Sequence, residues 1–195
     1  MKVIGITGGV GSGKSEILKI LKENYQAEII LADQVAHELM EPGGISYDGI
    51  IEYFGSDILN NDRTINRQIL GSIVFSDDQK LKKLNEITHG NVNQEILRRM
   101  EFIKHSNPNA VLVCETALLV GAEYESRFNQ LWYIYTKEEV RYERLKISRG
   151  YSDEKIRQMI GSQKSEKEFQ QAADYVIDNS GNLEETKKQI QAILG

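Results

Sequence analysis

The segment Gly8-Gly9-Val10-Gly11-Ser12-Gly13-Lys14-Ser15 constrains this chain more than any other. It fits G-x-x-x-x-G-K-[ST] at every fixed position. A short apolar run, Val3 to Thr7, precedes it and reads as a buried strand. After it, Ile17, Leu18, Ile20 and Leu21 recur at helical spacing between Ser15 and Asn24. Glycines let the backbone curl until successive N–H groups converge on phosphate oxygens, and the start of the following helix adds its positive dipole end. Lys14 would reach the β- and γ-phosphates of a nucleotide triphosphate, and the Ser15 hydroxyl would coordinate Mg²⁺. Such a loop suits kinases, GTPases and ATP-driven machines alike.

The rest of the chain reads as alternating strands and helices. Strands are expected at Ala27 to Ala32, Val111 to Glu115, Leu131 to Tyr135 and Tyr175 to Ile177. Helices are expected at Val35 to Met40, Ile45 to Phe54, Lys137 to Ser148, Ser152 to about Gln171, and Leu183 to Leu194. Asn66 to His105 is largely helical, with a turn near Ser76-Asp77-Asp78 and a possible break at Gly90. Alternation of this kind gives an α/β class with a mainly parallel sheet. The strandless block from Ile45 to His105 reads as an insertion beside that sheet.

Several function classes fall away on composition. A net charge of −5 argues against a broad nucleic-acid surface, which needs a basic face. No apolar run approaches the ~20 residues that span a bilayer. The opening MKVIGITGG runs straight into a strand without an apolar leader, so a secretory signal is not expected. The single cysteine, Cys114, lies in an apolar run and reads as a buried strand residue, which fits a reducing cytoplasm. His37 and His89 have no partners at metal-ligand spacing, so a zinc site is not expected.

Two carboxylates and three arginines are candidates for chemistry. Asp33 ends the second strand, where a carboxylate can hold an acceptor hydroxyl and take its proton; equally it can cap the next helix. Glu115 ends the third strand and could hold a metal-bound water, or be a polar strand end. Arg141, Arg144 and Arg149 could stabilise a transferring phosphoryl group, or form a solvated helix face. Tyr47, Tyr53 and Phe54 fit core packing, with a substrate-facing role as the alternative.

The order of motifs resembles the dephospho-CoA kinase family. The likeness runs from the glycine-rich loop through Leu31-Ala32-Asp33-Gln34-Val35-Ala36-His37, Glu41-Pro42-Gly43 and Tyr53-Phe54-Gly55. It continues through Ile65-Asn66-Arg67, Ile73-Val74-Phe75-Ser76-Asp77, Thr88-His89 and Glu115-Thr116-Ala117-Leu118-Leu119. It ends with Arg144, Arg149, Gln163 and Ala173 to Asn179. The chain departs from the family pattern at Glu16, Gly90, Ala117, Gly121 and Gly150.

The resemblance implies a P-loop three-layer α/β/α core (1–44, 107–148, 172–195), a helical acceptor domain (45–106) and a helical lid (149–171). It implies transfer of the γ-phosphate of ATP, with Mg²⁺, to the ribose 3′-hydroxyl of dephospho-CoA, the last step of CoA biosynthesis. Asp33, Lys14, Arg144 and Arg149 would be catalytic. Gly9, Val10, Gly11, Ser12, Gly13, Lys14, Ser15, Glu16 and Asn179 would hold the nucleotide, with Asn179 near the adenine. Ser15 and Glu115 would serve the metal. A cytoplasmic monomer or weak homo-oligomer is expected, with no nucleic-acid or membrane partner. The alternatives are a small P-loop kinase for a nucleoside monophosphate or sugar, and a non-catalytic nucleotide-binding regulator. The Asn/Thr-Lys-x-Asp base-reading motif typical of GTPase switches is missing from the sequence.

Overall fold

The computed structural model describes residues 1–116 and 126–195. Ala117, Leu118, Leu119 and Gly121, singled out above, lie outside the described residues. The chain divides into two compact units, Met1–Ile29 with Ile103–Gly195, and Ile30–Phe102.

Among the described residues, five strands form one sheet in the order β2-β3-β1-β4-β5. They are β1 (Lys2–Thr7), β2 (Glu28–Leu31), β3 (Val111–Glu115), β4 (Gln130–Tyr135) and β5 (Tyr175–Asp178). β1 pairs in parallel with β3 and β4, and β4 with β5. The strands are apolar because a parallel sheet is covered on both faces: Ile4, Ile6, Leu112, Val113, Cys114, Trp132, Ile134 and Ile177 are all fully buried. Cys114 is therefore the inert strand residue expected; burial, with the neighbouring Glu115 charge, pushes its thiol up to about 12. Parallel register has a functional consequence. Ile6 lies opposite Glu115, Thr7 opposite Tyr133, and Tyr135 opposite Asp178. The carboxyl ends of β1, β3, β4 and β5 thus fall along one edge, where ligands bind in open α/β sheets.

Helices of the first unit are α1 (Lys14–Tyr25), α6 (Glu138–Arg149), α7 (Asp153–Gly161), α8 (Glu166–Ala172) and α9 (Leu183–Leu194). The polar stretch Ser152 to Gln171 is two helices rather than the one expected. Ser165 marks the division as the N-cap of the second: its hydroxyl and the Glu168 carboxylate form a capping box. Phe169 on α8 stacks on Tyr133 of β4 with centroids 5.0 Å apart, and this contact ties the helix to the sheet.

The second unit holds α2 (Ala32–Leu39), α3 (Tyr47–Phe54), α4 (Arg67–Phe75) and most of α5 (Asp78–Ser106). Its core is Tyr47, Ile50, Ile58, Ile65, Leu70 and Val74, with Phe54 packed against it. Core packing thus accounts for Tyr47 and Phe54, while Tyr53 is half exposed. The Tyr47 hydroxyl donates to the Arg63 carbonyl. α5 passes through Gly90 without the break that glycine suggested. Neighbouring residues hold it there: Thr88 is buried, and Asn91 Nδ2 donates to Ser46 Oγ and to Ile87 O, both at 3.0 Å.

Candidate active site

The loop from Gly8 to Gly13 joins the central strand β1 to α1. Gly11 and Gly13 have φ of 77° and 83°, the left-handed region that favours glycine. At Gly13 a side chain is excluded twice over, since a Cβ would also run into Asn179 Nδ2. The curl closes on itself through Ser12 N donating to Gly9 O at 3.1 Å, and α1 begins with Glu16 N and Ile17 N donating to Gly13 O.

Lys14 folds back over this curl. Its Nζ donates to Gly8 O at 2.8 Å and Gly9 O at 3.5 Å, and stands 3.7 Å from Glu115 Oε1. The loop's positive charge is thus anchored at the carboxyl edge of the sheet, beside an acidic strand end. Ser15, in the first turn of α1, is exposed, and Glu16 is half-buried. The Ser15 hydroxyl and the Glu115 carboxylate are hard oxygen donors, the set Mg²⁺ prefers when phosphate oxygens and water supply its other ligands. Among the described residues no group of three or more His, Cys, Asp or Glu could cage a metal ion without such help.

The back of the loop is held from α6 and the turn after β5. Arg141 Nε donates to Val10 O at 2.9 Å, and its Nη2 to Gln163 Oε1 at 2.8 Å. Val10 N donates to the same Gln163 oxygen at 3.1 Å, closing a ring of loop, helix and α7–α8 turn. Burial pulls the Arg141 pKa down from the usual guanidinium value, and the group stays charged because that value is so high. Arg144 Nη2 donates to Asn179 O at 2.9 Å and its Nη1 to Ser12 O at 3.4 Å. Asn179 Nδ2 donates to Ser12 O at 2.9 Å, and Thr136 Oγ1 to the same oxygen at 3.0 Å.

The structure therefore brings together Gly9 to Lys14, Glu115, Arg144 and Asn179 from the sequence-derived set. Arg149 is the exposed last residue of α6, and its side chain makes no hydrogen bond among the described residues. Asp33 lies in the second unit. It neither ends β2 nor caps the next helix: β2 stops at Leu31, Leu31 is the N-cap of α2, and Asp33 sits exposed in the first turn. The extended run breaks earlier than its apolar pattern suggested, because Ala32 joins the helix.

Sequence reasoning gave no role to Gln163, Thr136 or Thr186, and kept Arg141 only as one of a cluster. Arg141 and Arg144 stand three apart, the spacing that puts two side chains on one helix face, so that pair was within reach of the sequence. The threonines carried no local signal.

A model of the family described as dephospho-CoA kinase matches residues 2–185. The chain is 39% identical over 194 residues to a dephospho-CoA kinase of Carboxydothermus hydrogenoformans, covering all of this chain and 93% of that one. It is 38% identical over 191 residues to a dephospho-CoA kinase of Lactobacillus johnsonii, covering 98% and 96% of the two chains. Among solved structures, a dephospho-CoA kinase from Campylobacter jejuni superposes with a TM-score of 0.73 at 25% identity, covering all of this chain and 96% of that one.

Proposed function

The chain belongs to the dephospho-CoA kinase family, and on that premise we propose that it transfers the γ-phosphate of ATP to the ribose 3′-hydroxyl of dephospho-CoA. The observation that carries the reading is Lys14, whose Nζ donates to Gly8 O at 2.8 Å over the loop between β1 and α1. Chemistry of this kind is mostly positioning and charge stabilisation, because the transferring phosphoryl group asks little covalent help of the protein.

Gly9 to Ser15, with Glu16, cradle the triphosphate, and Asn179, whose amide holds Ser12 O from behind the loop, lies near the adenine. Lys14 places a point charge against the β- and γ-phosphates. Arg144 and Arg149 offset charge on the phosphoryl group as it moves. Asp33 aims the acceptor hydroxyl and takes its proton. Mg²⁺, when bound, neutralises charge on the phosphate oxygens, and Ser15 and Glu115 are the residues that would hold it or its waters.

In this reading residues 45–106 form the acceptor domain and 149–171 a lid, the segment that includes α7 and α8. A lid of this kind excludes water from the reacting phosphate. The setting is a cytoplasmic monomer or weak homo-oligomer. Among the described residues no helix is long and apolar enough to cross a membrane, and the net charge of −5 disfavours nucleic acid.

The test is ADP release from ATP and Mg²⁺ across three acceptor classes. Turnover with dephospho-CoA, and little with nucleoside monophosphates or sugars, is the expected result. Turnover on another class would overturn the substrate assignment, and ATP binding without acceptor-dependent turnover would overturn the enzyme assignment.

A further inference from the structure

The carbonyl oxygen of Ser12 is a shared acceptor at the back of the loop. Three side chains from three elements donate to it: Thr136 Oγ1 at 3.0 Å, Asn179 Nδ2 at 2.9 Å and Arg144 Nη1 at 3.4 Å. Asn179 is itself fixed, because its Oδ1 accepts from Thr186 Oγ1 on α9 at 3.1 Å. Ser12, Thr136, Asn179 and Thr186 are all at least 96% buried, so water does not compete for these bonds. The contact with Ser12 fixes the amide's orientation, since flipping it would set Asn179 Oδ1 against the Ser12 carbonyl oxygen, and the Thr186 hydroxyl then donates to the oxygen that faces it.

A planar trans peptide carries the consequence forward. The Ser12–Gly13 peptide bond is trans, so the Gly13 N–H points opposite to the Ser12 carbonyl across a rigid unit. Pinning that oxygen to the back of the loop turns the Gly13 N–H to the front. Gly13 is where the backbone adopts φ of 83° and where only a bare Cα clears Asn179. The side chain of Asn179 is thus committed to the loop.

We propose that Thr186, acting through Asn179, is a positioning residue for nucleotide binding: it sets the Ser12–Gly13 peptide so that the Gly13 N–H donates to the triphosphate. The inference rests on the reading of Gly8 to Ser15 as the triphosphate loop. Thr186→Val keeps the shape of the side chain and removes the hydroxyl, and Thr186→Ser keeps the hydroxyl. Thr136→Val removes a different donor to the same oxygen and gives a second, independent variant.

The measurements are ATP dissociation constants by titration calorimetry, KM for ATP and for the acceptor, and melting temperature. Thr186→Val and Thr136→Val are expected to raise Kd and KM for ATP roughly fivefold, the weight of about one hydrogen bond. The acceptor KM should hold, and Thr186→Ser should restore parent affinity. A merely structural threonine would lower the melting temperature and leave KM for ATP unchanged well below it. Lys14→Ala separates premise from inference. If it loses ATP while both valine variants bind at parent affinity, the positioning role is overturned and the loop reading stands. If Lys14→Ala binds ATP as the parent does, the loop reading fails and the inference falls with it.

Discussion

Gln163 offers a perturbation whose cost can be worked from its bonds. Its Oε1 accepts from Val10 N at 3.1 Å and from Arg141 Nη2 at 2.8 Å, while Arg141 Nε holds Val10 O at 2.9 Å. Gln163→Leu keeps much of the volume and deletes the acceptor for both donors. A neutral hydrogen bond contributes about 1 kcal/mol net and one to a charged donor about 1.5–3 kcal/mol. The groups are half-buried, so water recovers part of this and the expected loss is about 2 kcal/mol. For a chain of this size that corresponds to a melting temperature lower by roughly 4–8 °C.

The assay is built in. The chain's single tryptophan, Trp132, is fully buried in β4 of the same unit, so its fluorescence reports unfolding of the part that holds Gln163. Hydrogen exchange at the Val10 amide gives a local reading of the same bond. Gln163→Glu retains an acceptor oxygen and sets a carboxylate against Arg141, so it should keep parent stability at neutral pH. If Gln163→Leu melts with the parent and its Val10 amide exchanges at the parent rate, the ring of loop, helix and α7–α8 turn does not contribute to stability.

Asp33→Asn keeps size and removes the base, so kcat should fall ~10²–10⁴-fold while KM for ATP stays near the parent value. If Asp33 only favours the first turn of α2 through its charge, the change costs about 0.3–1 kcal/mol of stability, and turnover at the parent rate would refute the catalytic role. Glu95 supplies a pH dependence in the second unit: hydrogen bonds from Arg98 and Arg99, against the opposing effect of burial, lower its pKa to about 2. A carboxylate depressed in the folded state stabilises it above its unfolded value near 4.5 and loses that contribution as pH falls through 4.5 towards 2. Urea titrations at about pH 6 and about pH 3, either side of the unfolded value, should show this loss in the parent and a smaller one in Glu95→Gln. Equal losses in the two proteins would count against the pairing.

What the sequence disclosed and what it hid divide along one physical line. The strands and most helices were legible because their cause is local: period-two and period-3.6 burial, a glycine at the end of α3, a proline after α5. The phosphate loop was legible for the same reason, since a curl through left-handed φ requires glycine at fixed offsets. The split of the polar stretch into α7 and α8 was also written locally, in the Ser165-to-Glu168 capping pattern. Continuity of α5 through Gly90 was not, because the anchor is Ser46, 45 residues away from Asn91. Nor was the start of α2 at Ala32: alanine continues an apolar run as readily as it opens a helix, so the pattern set Asp33 at a strand end when it belongs to the first turn of α2.

Asn179 shows the same division within one residue. Its position after an apolar strand and before a serine and a glycine marks a turn on sequence alone. What its amide does depends on Thr186 seven residues onward and on Ser12, 167 residues earlier. Those partners are brought within 3.1 Å of it only when β5 pairs with β4 and β4 with β1 in parallel register. A buried donor or acceptor left unpaired costs ~1–3 kcal/mol, so the sheet and the loop are not independent designs. The register that aligns the strand ends also satisfies Asn179, and Asn179 in turn fixes the peptide at the head of α1. Any variant that slips β5 against β4 would therefore register in ATP affinity before it registered in acceptor affinity.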